Sequence, residues 1–282
     1  MPAVAAAITA ITIVTSPVVL IAAVAGLLLP GSLAQAQTAS ESVAKYREML
    51  ADGNPAELWE ARGETIWNEK RGPQQVSLAG CDLGRGPGVV KGAYVGLPKY
   101  FADTDKVQDV EQRLITCMTT LQGLSLEEAK RQPFGAGTAK KSTMDALVAW
   151  IASESRGMKI APGSKHPKEI QAFKVGQTIF NYRGGPYDFA CATCHSAPQQ
   201  RIRLQELPDL TNKAEAQKSY ASWPAYRVSQ GEVRTMQHRL NDCFRQQRFP
   251  EPGYASDAIT ALTMYLAQQA QGGEFNAPAM KR

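Results

Sequence analysis

The chain has 282 residues, 44% of them hydrophobic and 20% charged, with a formal net charge of +5. That is enough length for two domains of cytochrome size or one large one, and the composition excludes collagen, coiled coil and long disordered tracts. The positive excess is spread along the chain without a basic run, which argues against nucleic-acid binding and suits an anionic substrate or an acidic partner.

From Ala3 to Leu29 no residue is charged; Pro30-Gly31-Ser32 then breaks the apolar run, and Ala34-Gln35-Ala36 supplies an A-x-A cleavage pattern. Residues 1–36 read as a secretory signal. No Lys or Arg precedes Lys45, so the usual positive n-region is missing. The run is also long enough to span a bilayer, which leaves a retained anchor or a start codon elsewhere as alternatives. All three readings export the chain, and the expected compartment is the periplasm.

Apolar spacing of helical period marks 41–51 and 56–68. It continues in 107–121, with Val110, Leu114, Cys117 and Leu121 on one face, and in 142–156, with Leu147, Trp150 and Ile151. It returns in 233–245 and 257–271. The expected fold class is all-α. Pro162, Gly163 and Pro167 interrupt the pattern, so the boundary is expected between a domain at 37–157 and a second at 158–282.

In the second domain, Cys191-Ala-Thr-Cys194-His195 is a C-x-x-C-H motif. Two thiols two residues apart can each add to one vinyl group of the same haem, and the following His then falls beneath the iron as proximal ligand. A redox pair or half a zinc site is the competing reading of C-x-x-C. A zinc site needs a second ligand pair at suitable spacing, which is absent, and a redox pair has no need of the His. One covalently bound haem c is therefore expected on Cys191, Cys194 and His195. The helix end at 176–180 and the Leu207-Pro208-Asp209-Leu210 stretch fit the flanks of such a site.

The sequence repeats itself. Gly63-Glu-Thr-Ile-Trp-Asn-Glu-Lys-Arg-Gly-Pro73 matches Gly176-Gln-Thr-Ile-Phe-Asn-Tyr-Arg-Gly-Gly-Pro186. Carried forward, this register sets Cys81 opposite Cys194, Leu78 opposite Cys191 and Asp82 opposite His195. Downstream, Pro98-Lys-Tyr100 matches Pro224-Ala-Tyr226, and Arg113-Leu-Ile-Thr-Cys117 matches Arg239-Leu-Asn-Asp-Cys243. The expected architecture is two tandem cytochrome c-like domains, the first without haem because it lacks one thioether Cys and the axial His. If Cys243 faces the haem, Cys117 faces the vacated pocket near Cys81, and a Cys81–Cys117 disulfide follows. It would close a loop of about 36 residues, stabilising the domain by an order of 3 kcal/mol.

The candidates for the distal side of the iron are Met236, His238, Cys243 and Met264. A Met there would make an electron carrier. Met264 reads as core, Met236 as core or surface, His238 as a surface residue, and His166 as a solvated linker residue. Cys243 is the thiol left over, on spacing alone an inert buried thiol or half of an intermolecular disulfide. Arg234, Arg239, Arg245 and Arg248 surround it in sequence, however, and cations favour the thiolate. Arg239 lies one helical turn before Cys243, on the same face.

Cys191-Ala-Thr-Cys-His195, Ser222-Trp-Pro-Ala-Tyr-Arg227 and Gln237-His-Arg-Leu-Asn-Asp-Cys-Phe-Arg-Gln-Gln-Arg248 resemble SoxA, the haem subunit of the SoxAX complex of bacterial thiosulfate oxidation. The resemblance covers essentially the whole chain after residue 36, and the first half is similar to single-haem members. It implies a heterodimer with SoxX, a small monohaem cytochrome c. It also implies an enzyme that oxidatively couples thiosulfate to a cysteine of the carrier SoxYZ, with two electrons leaving through haem. Cys243 would be the distal ligand, carried as a persulfide, and the catalytic residue; Arg239 would hold the thiosulfate. A plain electron-transfer cytochrome and a thiosulfate dehydrogenase forming tetrathionate remain the alternative functions.

Overall fold

The computed structural model describes Lys45 and residues 53–131, 142–202 and 205–282. The segment read as a signal, and all but Lys45 of the helix expected at 41–51, lie outside the described residues. The first copy opens with helix α1 (Ala56–Asn68), where Asn54 Oδ1 accepts from the Ala56 N–H at 3.0 Å. A β-hairpin follows, β1 (Lys99–Phe101) against β2 (Lys106–Gln108), then α2 (Val110–Thr120), a short α3 (Leu126–Ala129) and α4 (Thr143–Ser153). Asp109 caps α2 through the Gln112 N–H, and Ser142 caps α4 through the Asp145 N–H, side-chain acceptors that satisfy otherwise orphaned helix donors.

The second copy contains α5 (Pro167–Asn181), α6 (Cys191–His195), the two-residue strands β3 (Arg201–Ile202) and β4 (Gln205–Glu206), α7 (Lys213–Tyr220), β5 (Ala225–Arg227), β6 (Glu232–Arg234), α8 (Met236–Gln246) and α9 (Asp257–Gln269). The last strand, β7 (Ala279–Lys281), runs parallel to β5. The chain is mostly helical but not all-α. Val107 and Val233, expected within helices, lie in strands instead. Asp109 and Thr235 are N-caps, so each helix starts only after its strand has ended. His166, expected in solvent, instead caps α5 and stacks on Tyr100 with ring centroids 3.6 Å apart.

The two copies repeat in detail. α1 crosses α4 at Gly63, where an added Cβ would lie 2.1 Å from the Ala146 carbonyl oxygen. α5 crosses α9 at Gly176, where it would lie 2.0 Å from that of Ala261. Each pair of backbones therefore approaches too closely for any side chain, and only glycine fits. The bridges Arg71–Val76 and Gly184–Phe189 match, and Leu97–Pro98 and Trp223–Pro224 are both cis.

The copies share one apolar core and a buried polar seam. Asp109 at the start of α2 accepts from Gln237 Nε2 of α8 at 2.6 Å, and Gln237 Oε1 accepts from the Ala255 N–H at 3.0 Å. The segment between the copies is stitched to both: Ala161 N–H donates to Val95 O at 2.8 Å, and Ile160 N–H to Gly273 O at 2.9 Å.

Asp145 lies in this seam, fully buried. Burial pushes its carboxyl up to about 8, and Glu232 adds to the rise, while Ser142, Arg234 and Arg62 oppose it. The native state thus keeps a proton that the unfolded chain releases near pH 4. With a raised native pKa, this contribution to stability is full below pH 4 and is lost as pH rises towards 8. Asp145→Asn is expected to flatten that fall by at least about 1 kcal/mol between pH 5 and 8. Urea unfolding of both proteins at the two pH values checks it, and parallel curves would contradict the assignment.

Candidate functional site

The C-x-x-C-H residues form α6, a single short helix opened by an Ala190 N–H donating to Thr193 Oγ1 at 2.9 Å. The Cys191 and Cys194 thiols are free. His195 Nδ1 donates to the Pro208 carbonyl at 2.9 Å, and the Leu210 N–H donates to the His195 carbonyl at 2.8 Å. The loop around Pro208 therefore fixes the ring from behind. A proton held on Nδ1 leaves the Nε2 lone pair free for a metal. Burial lowers the His195 pKa, the Pro208 carbonyl works against it, and Arg239 lowers it further. The ring is thereby kept neutral, as a ligand must be.

Cys243 is half-buried on α8, one turn beyond Arg239. Burial pushes the Cys191 thiol up to about 12, with Cys243 as the next cause. Cys194 is raised by burial and then by Cys243. The three thiols thus share one neighbourhood, and the Arg239 charge reaches His195. Elsewhere in the second copy, Phe244 of α8, Ile179, Pro250, Ile259 and Leu262 line an apolar cavity of about 200 Å³.

Of the four arginines near Cys243 in sequence, two are already paired. Arg234 meets Glu232 at 2.7 Å and Asp242 at 3.6 Å, and Arg245 meets Asp242 at 2.7 Å. The Arg248 guanidinium lies over the Tyr187 ring at 5.8 Å. Arg239 makes no ion pair among the described residues. His238, expected at the surface, is 1% exposed, and its Nε2 meets Arg234 Nη1. Burial and then Arg234 push its pKa down to about 3, so it is a neutral member of a buried charge network. The sequence did not reveal that network because it joins Glu232 and Arg234 of β6 to His238 and Asp242 of α8; the alternating signs in that stretch were its one signal. Met264 is fully buried with its sulfur 4.0 Å from Gln268 Nε2, and Met236 lines a small cavity with Tyr94 and Tyr220.

The equivalent place in the first copy is closed. Cys81 and Cys117 form a disulfide with Cα atoms 5.6 Å apart, as expected. Leu78, Leu83 and Leu114 are buried around it. Asp82, opposite His195, turns its carboxylate back to the N–H groups of Gly84 and Gly86 at 2.6 and 2.9 Å.

In the second copy, two free thiols and a neutral imidazole with Nε2 available suit a covalently attached haem. Two successive domains of this kind, one open and one stapled shut, define a tandem cytochrome c protein. The family model for the SoxA/TsdA cytochrome c domain matches residues 62–160 and 175–275. The L-cysteine S-thiosulfotransferase subunit SoxA of Hydrogenophilus thermoluteolus is 50% identical over 242 residues, 86% of this chain and 88% of that protein. A SoxA of Hydrogenobacter thermophilus is 31% identical over 269 residues, 94% of this chain and 97% of that protein. The crystal structure of SoxXA from P. pantotrophus matches with a TM-score of 0.68 at 25% identity, over 84% of each chain. The chain belongs to the SoxA family of L-cysteine S-thiosulfotransferase subunits.

Proposed function

We propose that this chain is the single-haem, catalytic subunit of a periplasmic thiosulfate-oxidising complex, with the haem in the domain at 158–282 and none in the domain at 37–157. SoxX is the expected partner, since the matched structure is a SoxXA complex, and the carrier protein SoxYZ is the co-substrate. The observation that carries this reading is the electrostatic influence of Cys243 on both Cys191 and Cys194, with Arg239, which makes no ion pair among the described residues, one turn away on α8.

Cys191 and Cys194 would hold the haem by thioether bonds, and His195 Nε2 and the Cys243 sulfur would serve as ligands to its iron. When bound, the haem supplies an electron acceptor beside the reacting sulfur. Thiosulfate is a dianion, and the Arg239 guanidinium holds it through charge-assisted hydrogen bonds. Arg239 and Cys243 project from the same face of α8, so the anion is held beside the Cys243 sulfur. The net reaction forms an S–S bond between the terminal sulfur of thiosulfate and the thiol sulfur of the carrier cysteine. The carrier thiol loses its proton, and two electrons leave towards SoxX. The neutral His238 and the closed ion pairs of Arg234 and Arg245 keep other groups from competing for the anion.

Arg239→Gln is expected to raise the KM for thiosulfate roughly tenfold, with a smaller change in kcat, because a charge-assisted contact to the anion is lost. Steady-state kinetics with SoxX and SoxYZ checks it, and an unchanged KM would remove Arg239 from the substrate site. Intact mass of the purified chain tests the haem count and reports any extra sulfur atom on Cys243. A chain carrying two haems, or none, would overturn this reading.

A further inference from the structure

The duplication sets two copies of one arginine side by side, in opposite circumstances. The hairpins preceding α2 and α8 have the same register: Lys99 pairs with Gln108 and Phe101 with Lys106, as Ala225 pairs with Arg234 and Arg227 with Glu232. Both four-residue loops end in a left-handed residue, Asp105 at φ 52° and Gly231 at φ 66°. The helices then present Arg113 and Arg239 at the same distance along the chain from their strands.

In the first copy every face of Arg113 is occupied. Its Nη1 donates to both Asp103 carboxylate oxygens at 2.9 and 2.7 Å, its Nε donates to the Asp82 carbonyl at 2.6 Å, and its guanidinium lies 4.1 Å from the centroid of the Phe101 ring. In the second copy each of these partners is changed. Ser229 stands at the position of Asp103, and Arg227 at that of Phe101. The His195 carbonyl, equivalent to that of Asp82, accepts from the Leu210 N–H rather than from the arginine. An internal carboxylate and an aromatic face have become a hydroxyl and a cation, and the carbonyl now accepts from a backbone N–H instead.

We propose that position 229 determines whether this arginine binds an external anion: with no carboxylate there, Arg239 stays open to a small sulfur oxyanion. This rests on the reading of Arg239 as the anion holder and adds the residue that keeps it available. A carboxylate at 229 would act as a tethered competitor, supplying in the same chain the two oxygens that Asp103 gives Arg113. Ser229 is exposed at a loop tip, as Asp103 is, so substitution there leaves the core untouched.

The test uses the holoprotein complexed with SoxX, with SoxYZ as acceptor, and compares Ser229→Asp, the neutral isostere Ser229→Asn, and Arg239→Gln. Ser229→Asp is expected to raise the thiosulfate KM roughly tenfold with kcat within about twofold, and the rise should shrink with added salt as the new ion pair is screened. Ser229→Asn should behave as the unsubstituted protein, and the haem absorption spectrum should be the same in all. Equal KM values for the Asp and Asn variants would overturn the proposal. If Arg239→Gln raises KM while Ser229→Asp does not, position 229 alone loses its role. If Arg239→Gln leaves KM unchanged, the anion-holding role of Arg239 fails first.

Discussion

Replacing Cys243 with Ala is expected to abolish coupling of thiosulfate to the carrier, by on the order of a thousandfold or more in kcat/KM, because the proposed site then lacks the sulfur beside which the anion is held. The haem should remain attached, since Cys191, Cys194 and His195 sit on α6 and are untouched. Cys243 is half-buried on α8 between the buried Asp242 and Phe244, so losing its sulfur removes little packing. A merely structural thiol would cost stability and spare activity; a catalytic one does the reverse. Turnover assays with SoxX and SoxYZ, alongside haem content and urea unfolding, separate the two. Full activity in the Ala variant would leave the chain an electron carrier.

Removing the disulfide is expected to cost about 3–4 kcal/mol of stability, the chain-entropy value for a loop of this length. Cys81 and Cys117 lie 36 residues apart in sequence and are 1% and 3% exposed. They sit at the centre of the closed first copy, beside Leu78 and Leu114. The paired variant Cys81→Ala with Cys117→Ala should therefore unfold at distinctly lower denaturant while keeping its haem and its KM for thiosulfate at low temperature, because Arg239 and Cys243 belong to the other copy. Coincident unfolding curves would show that the bond adds nothing, and a matching loss of haem would show that the two copies depend on each other.

The repeat was legible in the sequence because its strictest requirements are steric. Gly63 and Gly176 sit where one helix backbone meets another, and no other residue can replace them, so the register survives around them. The disulfide followed from that register. The hairpins did not, because strands of three residues are too short to show a period of two and run straight into capped helices. His238 was misread because a charged stretch suggests a surface. In the fold, that charge is folded inward as the Glu232–Arg234–Asp242 pairs, and the burial of β6 and α8 that turns it inward is not encoded in spacing. Ser229 is silent until the hairpin register is known, since only then does it stand opposite Asp103.

Low-spin EPR of the oxidised protein, before and after Cys243→Ala, bears most directly on whether the thiol of α8 completes the haem. The unsubstituted protein should give the signal of iron held between imidazole and cysteine sulfur, and the Ala variant should lose it. The same spectrum from both proteins would mean that another side chain binds the metal and that the sulfur chemistry has been assigned to the wrong residue.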